Sequence, residues 1–138
     1  MSLSKEQKLI EDFPNLYRDW DVSEAAKCKM LVGSGFWCGE GWESLLRDVS
    51  AKLEAMLCAL SAKDRKRIRA MMVKQEHGLL HLSIENSTKE MMQVVMDAED
   101  SSGSICEECG KPGETRRSEP GGIRTHCDVC RLKFQQEQ

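Results

Sequence analysis

With 138 residues, 31% of them charged, and 20 basic against 23 acidic side chains for a net charge of -3, the chain has room for one modest domain plus an appended finger. That balance excludes a strongly basic nucleic-acid binder as the default reading. Met1-Ser-Leu-Ser-Lys-Glu-Gln7 lacks the apolar core of a signal peptide, and no run approaches the roughly 18 apolar residues of a membrane span, so a cytoplasmic protein without membrane attachment is expected.

Ser4-Lys-Glu-Gln7 has the form of a capping box, with Leu9, Ile10 and Phe13 following at helical spacing until Pro14 stops the run. A short N-terminal helix is predicted there. Tyr17 and Trp20 are placed as lids on the core, partner contact being the weaker reading. Ser23 caps a second short helix carrying Ala25, Ala26, Cys28 and Met30. Gly33-Ser-Gly-Phe-Trp-Cys-Gly-Glu-Gly41 lacks the Lys-Ser/Thr ending and the preceding strand of a phosphate-binding loop, and is read as a tight turn that brings Phe36 and Trp37 onto the core.

From Trp42 the apolar residues fall at Leu45, Leu46, Val49, Leu53, Met56, Leu57 and Leu60, offsets of 3, 4, 7, 11, 14, 15 and 18, which is one stripe of a long amphipathic helix. Cys58 beside the stripe reads as a packed thiol. The segment Ala62–Arg69 then sets five basic residues, Lys63, Arg65, Lys66, Arg67 and Arg69, against one acid; a solvated helix end explains them as well as phosphate binding does. Met71 and Val73 alternate with Met72 and Lys74, and Leu80, Leu82 and Ile84 with His81, Ser83 and Glu85, as two strands of a hairpin with Gly78 at its turn. On a strand His77 and His81 do not converge, so His81 is read as solvent-facing rather than as half of a metal pair. Ser87-Thr-Lys-Glu90 forms a second capping box ahead of Met91, Met92, Val94, Val95 and Ala98, a helix expected to pack across the hairpin. Its end is acidic at Asp97, Glu99 and Asp100, against the helix dipole, which calls for a basic group nearby. The five methionines Met71, Met72, Met91, Met92 and Met96 suit an adaptable interface as readily as a core.

The predicted fold is α+β: a long amphipathic helix and a second helix on a hairpin or small antiparallel sheet over residues 1–100, a linker at 101–104, a finger at 105–134 and a frayed tail at 135–138. In the finger, Cys106-Glu-Glu-Cys109 and Cys127-Asp-Val-Cys130 stand seventeen residues apart, a spacing at which four soft thiolates wrap one structural Zn2+. His126, directly before Cys127, is the less favoured replacement ligand. In a reducing compartment the remaining Cys28, Cys38 and Cys58 are free thiols rather than disulfide partners.

Residues 106 to 134, with Cys-Glu-Glu-Cys-Gly-Lys-Pro-Gly and Cys-Asp-Val-Cys, resemble the zinc finger of the DksA/TraR family, which binds RNA polymerase through acidic residues at the tip of a helical hairpin. Over a longer stretch the chain resembles a group of small uncharacterised phage and prophage proteins. The likeness lies in Gly35-Phe-Trp-Cys-Gly-Glu-Gly-Trp42, in Val73-Lys-Gln-Glu-His-Gly-Leu-Leu80, and in Ala98-Glu-Asp-Ser leading into the finger. That resemblance implies a mobile-element accessory protein. The leading expectation is a zinc-stabilised binding module acting on a host protein, as an inhibitor or regulator, with a host defence system such as CRISPR among the targets. The alternative is a nucleic-acid-binding or RNA-polymerase-binding regulator using Arg116, Arg117 and Arg124 together with Lys63, Arg65, Lys66, Arg67 and Arg69, provided both groups share one face. An enzyme is not expected, because four cysteines close the metal shell and the His-x-Glu of zinc deaminases is missing. Nothing in the sequence sets the oligomeric state.

Overall fold

The computed structural model describes residues 1–118 and 122–137. Helix α3 (Glu43–Cys58) is its spine, because the periodic stripe puts Leu46, Val49, Leu53 and Leu57 wholly inside, with Leu45, Met56 and Leu60 at the margin. Against α3 lies α5 (Lys89–Ser102), which also covers the hairpin formed by β2 (Arg69–Glu76) and β3 (Leu79–Glu85). The architecture is α+β, as the patterning predicts. A third strand, β1 (Phe36–Trp37), pairs parallel to β2 and gives the sheet order β1-β2-β3.

That strand corrects the reading of the glycine-rich segment. Side chains alternate across a strand, so Phe36 enters the core at 2% exposure while Trp37 points outward at 41%. The ring that joins Phe36 inside comes from elsewhere: Tyr17, Trp20 and Phe36 form a cluster with centroids 4.9 to 5.2 Å apart, and Trp20 Nε1 donates to the Ala70 carbonyl at 2.8 Å. Tyr17 and Trp20 are therefore part of the core and not lids over it.

In α1 (Leu3–Asp12) the Ser4–Gln7 capping box does not form. Ser2 occupies the N-cap without a side-chain bond, and its N–H reaches Glu40 Oε1 instead. The helix buries Leu9 together with Glu6, whose carboxylate pairs with Lys27 of α2 (Glu24–Cys28) and accepts the Phe36 N–H at 2.6 Å. A buried carboxylate is tolerated only with such partners. The Ser23 cap of α2 does form, accepting from the Ala26 N–H at 3.3 Å.

The hairpin turns at His77-Gly78, both with positive φ (52° and 84°), as a two-residue mirror-type turn requires. The alternation predicted for β3 holds, with Leu80 and Leu82 buried. In β2 a bulge between Ala70 and Met72 shifts the phase, so Ala70 and Val73 face inward. Met71 is the extra residue, and its carbonyl accepts the Gly33 N–H at 3.0 Å. Short α4 (Ala62–Arg65) precedes the hairpin. The cap of α5 is Thr88, one residue after the predicted Ser87, with its hydroxyl accepting from Met91 N–H. The helix continues into the expected linker at 101–104: Ser101 and Ser102 are its last residues. Ser102 is fully buried because its hydroxyl donates to the Glu99 carbonyl and accepts the Leu80 N–H at 2.9 Å. Beyond it the ribbon β4 (Glu114–Ser118) and β5 (Gly122–His126) and helix α6 (Asp128–Glu137) complete the chain.

Candidate metal centre

Two local turns make the site. In the first, the Cys106 N–H donates to the Lys111 carbonyl and the Gly110 N–H returns to the Cys106 carbonyl at 2.9 Å, with Gly110 at φ 80°. Only a residue without a side chain takes that φ cheaply. In the second, Cys127 precedes the first turn of α6 and Cys130 lies inside it, so the Cys130 N–H points at Cys127 Sγ at 3.4 Å. The β4–β5 ribbon, in register from Glu114↔His126, returns the chain and brings the two turns together. The four sulfurs of Cys106, Cys109, Cys127 and Cys130 all lie within 4.8 Å of one another, with Cys109 and Cys127 at 3.7 Å. This cluster can hold a metal ion, and among the described residues it is the one such group of three or more metal-ligating side chains.

The electrostatics favour a thiolate at one corner. The backbone N–H of Cys130, with the neighbouring sulfurs, draws the Cys127 thiol down to about 7, while burial and the same neighbours push Cys130 up. Cys106 is fully buried and Cys109 lies at the surface, so the cluster sits at the margin of the fold.

The first turn is seated on the glycine-rich segment of the core. The Gly41 N–H donates to the Glu107 carbonyl at 2.7 Å, the Gly39 N–H to Glu107 Oε2 at 2.9 Å, and Trp42 Nε1 to the Ile105 carbonyl at 2.9 Å. A Cβ at Gly41 would stand 2.2 Å from the Cys106 carbonyl oxygen, and one at Gly39 2.4 Å from that of Glu107. These two glycines thus belong to the metal centre as the floor it rests on. Glu107 is 7% exposed, and burial raises its carboxyl above the usual range. The bare Cys-Glu-Glu-Cys pattern offers no sign that its first acid turns inward. At the far side the hairpin turn abuts the ribbon: Thr125 Oγ1 donates to the Gly78 carbonyl at 2.6 Å and shares a 2.6 Å bond with Thr115 Oγ1.

Comparison with family models, with curated proteins and with solved structures found no match to this chain.

His126 is not in the cluster. Its ring is 2% exposed and packs on Phe134 with centroids 5.3 Å apart, and burial draws its pKa below the usual imidazole range. The finger arginines are partly engaged: Arg116 pairs with Asp128 at 3.0 Å and Arg124 lies over the Phe134 ring at 5.6 Å, while Arg117 is exposed. Of the upstream basic residues, Lys63, Lys66 and Arg67 are exposed, Arg65 is half-buried, and Arg69 pairs with Asp19 and Glu85. The two groups stand at opposite ends of the hairpin. Arg69 and Glu85 lie at the open end of the hairpin and the finger docks at its turn, seven residues or about 23 Å away at strand rise.

Cys58, expected to be packed, is exposed at the end of α3, and Cys28 is exposed as well. Cys38 is buried, and desolvation raises its thiol to about 12, so it is held neutral. His81 is half-buried beside Glu99 and Glu76 at 3.7 and 3.9 Å, and His77 occupies the hairpin turn. No helix among the described residues is long and apolar enough to cross a membrane.

Proposed function

We propose that the four cysteines hold one structural zinc ion and that the protein is a metal-stabilised binding module. The observation that carries this reading is the sulfur spacing. A tetrahedral zinc shell with ligands at about 2.3 Å has edges of about 3.8 Å, against 3.7 Å between Cys109 and Cys127 and no more than 4.8 Å between any two of the four sulfurs. An all-sulfur donor set selects zinc over calcium or magnesium, and four such ligands leave no open position for substrate, so the ion's role is structural and no catalysis is assigned to it. When bound, the metal supplies cross-linking of the two turns. The chain's own residues do the rest: Gly39, Gly41 and Trp42 fix the first turn to the core, and Thr125 fixes the ribbon to the hairpin.

The partner we propose is a host protein, met in the cytoplasm, with the chain acting as an accessory factor of a phage or other mobile element. The phage-protein resemblance over residues 30 to 130 supports that origin, and inhibition or regulation of a host defence system such as CRISPR is the role it suggests. The nucleic-acid and RNA-polymerase alternative is less well supported, since the basic groups lie at opposite ends of the hairpin and Arg116 is already paired. Affinity capture from host lysate, with the metal-loaded and chelator-treated protein side by side, tests the proposal. A host protein retained only by the loaded form supports it. Retention of nucleic acid at low salt that is lost at high salt favours the alternative.

A further inference from the structure

At the acidic end of α5, Lys52 of α3 lines a shared cavity with Asp97, while none of Asp97, Glu99 and Asp100 forms an ion pair with a lysine or arginine among the described residues. Asp97 is held by Gln93 Nε2 at 2.8 Å, Glu99 accepts the Leu82 N–H at 3.0 Å and has the His81 ring at 3.7 Å, and Asp100 enters no ion pair with a described residue. Lys74, opposite His81 across the hairpin, is paired with Glu76 at 3.9 Å. The negative end of the helix dipole adds to the same potential.

Directly beside this end runs an apolar groove of about 210 Å³ between α5 and β3, with Leu82 and Ile84 on its floor and Met92 and Met96, each 52% exposed, along its wall. Met92, Met96 and Asp100 recur at i, i+4 and i+8, a stripe separate from the buried Met91, Val95, Ala98 and Ser102. The groove is open to a helix and not to a strand, because the outward N–H groups of Leu80 and Leu82 already bond Ser102 Oγ and Glu99 Oε2 at 2.9 and 3.0 Å. Unbranched methionines suit a contact that adapts to its ligand.

We propose that this groove takes an amphipathic helix of a partner protein, its apolar stripe on Met92 and Met96 and its Lys or Arg residues over Glu99 and Asp100. The inference rests on the reading of the chain as a binding module and adds the surface and the partner's chemistry; it makes no use of the metal.

The test uses full-length, zinc-loaded protein with 13C-labelled methionine methyls. The probe is an 18-residue helical peptide with a leucine stripe and lysines elsewhere, compared with the same peptide carrying glutamates in place of the lysines. The lysine peptide is expected to shift the Met92 and Met96 methyl resonances and leave that of buried Met91, and to bind at least tenfold more tightly than the glutamate peptide. Met96→Glu and Asp100→Lys, both at exposed positions that leave the circular dichroism unchanged, each weaken it at least fivefold. Unmoved Met92 and Met96 signals, equal binding of the two peptides, or a dimer in sedimentation that Met96→Glu abolishes would each overturn the proposal. Metal analysis of the same samples separates it from the zinc reading. Peptide binding without stoichiometric zinc supports the groove and removes the metal centre, and full zinc without peptide binding removes the groove alone.

Discussion

At the scale of single residues, the sites most sensitive to substitution are those where a neighbour's backbone leaves no room. A methyl group at Gly41 meets the Cys106 and Glu107 carbonyl oxygens at 2.2 and 2.6 Å, and neither is the end of a flexible side chain. Gly41→Ala should therefore cost about 3 kcal/mol, an overpacking penalty read as a fall in Tm of about 10 °C, and weaken metal retention with it. Buried polar pairs give a different signature. The Tyr17 hydroxyl and Ser50 Oγ share a 2.6 Å bond inside the core, so Tyr17→Phe strands Ser50 and should cost about 1–2 kcal/mol. Adding Ser50→Ala should restore part of that loss, since both partners are then apolar; urea denaturation of the two variants measures it. Lys27→Met removes the cation paired with buried Glu6, and the same denaturation should show a loss of about 3 kcal/mol. Cys38 sets a pH dependence. Burial raises its folded thiol from 9.0 to about 12, so the neutral form is the one the fold accepts. Its contribution is intact below pH 9 and is lost as pH rises from there toward 12. Thermal melts at pH 8 and pH 10.5 should show a larger drop for the native chain than for Cys38→Ala.

Among the elements, those built on a strong period are the ones the sequence reveals. The α3 stripe and the β3 alternation each depend only on which residues recur, so both are read directly from the chain. So is the metal cluster, because two Cys-x-x-Cys turns at that separation have few other uses. Elements defined by long-range contact are not legible in this way. Two-residue β1 has no period, and only its pairing with Val73 and Lys74 makes it a strand. The Ser101-Ser102 end of α5 has the composition of a linker, yet Ser102 is buried because its hydroxyl caps the edge of β3. Gly39 and Gly41 look like turn glycines, and their actual office, making room for the Cys106–Gly110 turn, depends on a segment more than sixty residues away. Gly78 belongs to the same class. Its carbonyl takes the Thr125 hydroxyl, and Thr125→Val, which cannot donate, should cost about 1 kcal/mol and loosen the ribbon, seen as faster amide exchange in β4 and β5.

For the whole molecule, the finger is seated on Gly39, Gly41, Trp42 and Gly78, so the proposed metal would stabilise core and finger together. A structural zinc site contributes about 10–16 kcal/mol of apparent folding free energy in small peptides, enough to govern the stability of a chain this size. Chelation should therefore lower the melting temperature of the core helices as well as of the finger, and Trp42 fluorescence, tied to Ile105 by its indole N–H, should report the release. The central claim is that Cys106, Cys109, Cys127 and Cys130 form a closed sulfur shell around one zinc ion. X-ray absorption at the zinc edge of freshly purified protein, with the metal-to-chain ratio measured on the same sample, tests it most directly. The account predicts one zinc per chain with four sulfur neighbours at about 2.3 Å. Substoichiometric zinc, or a shell in which nitrogen or oxygen replaces a sulfur, would contradict it.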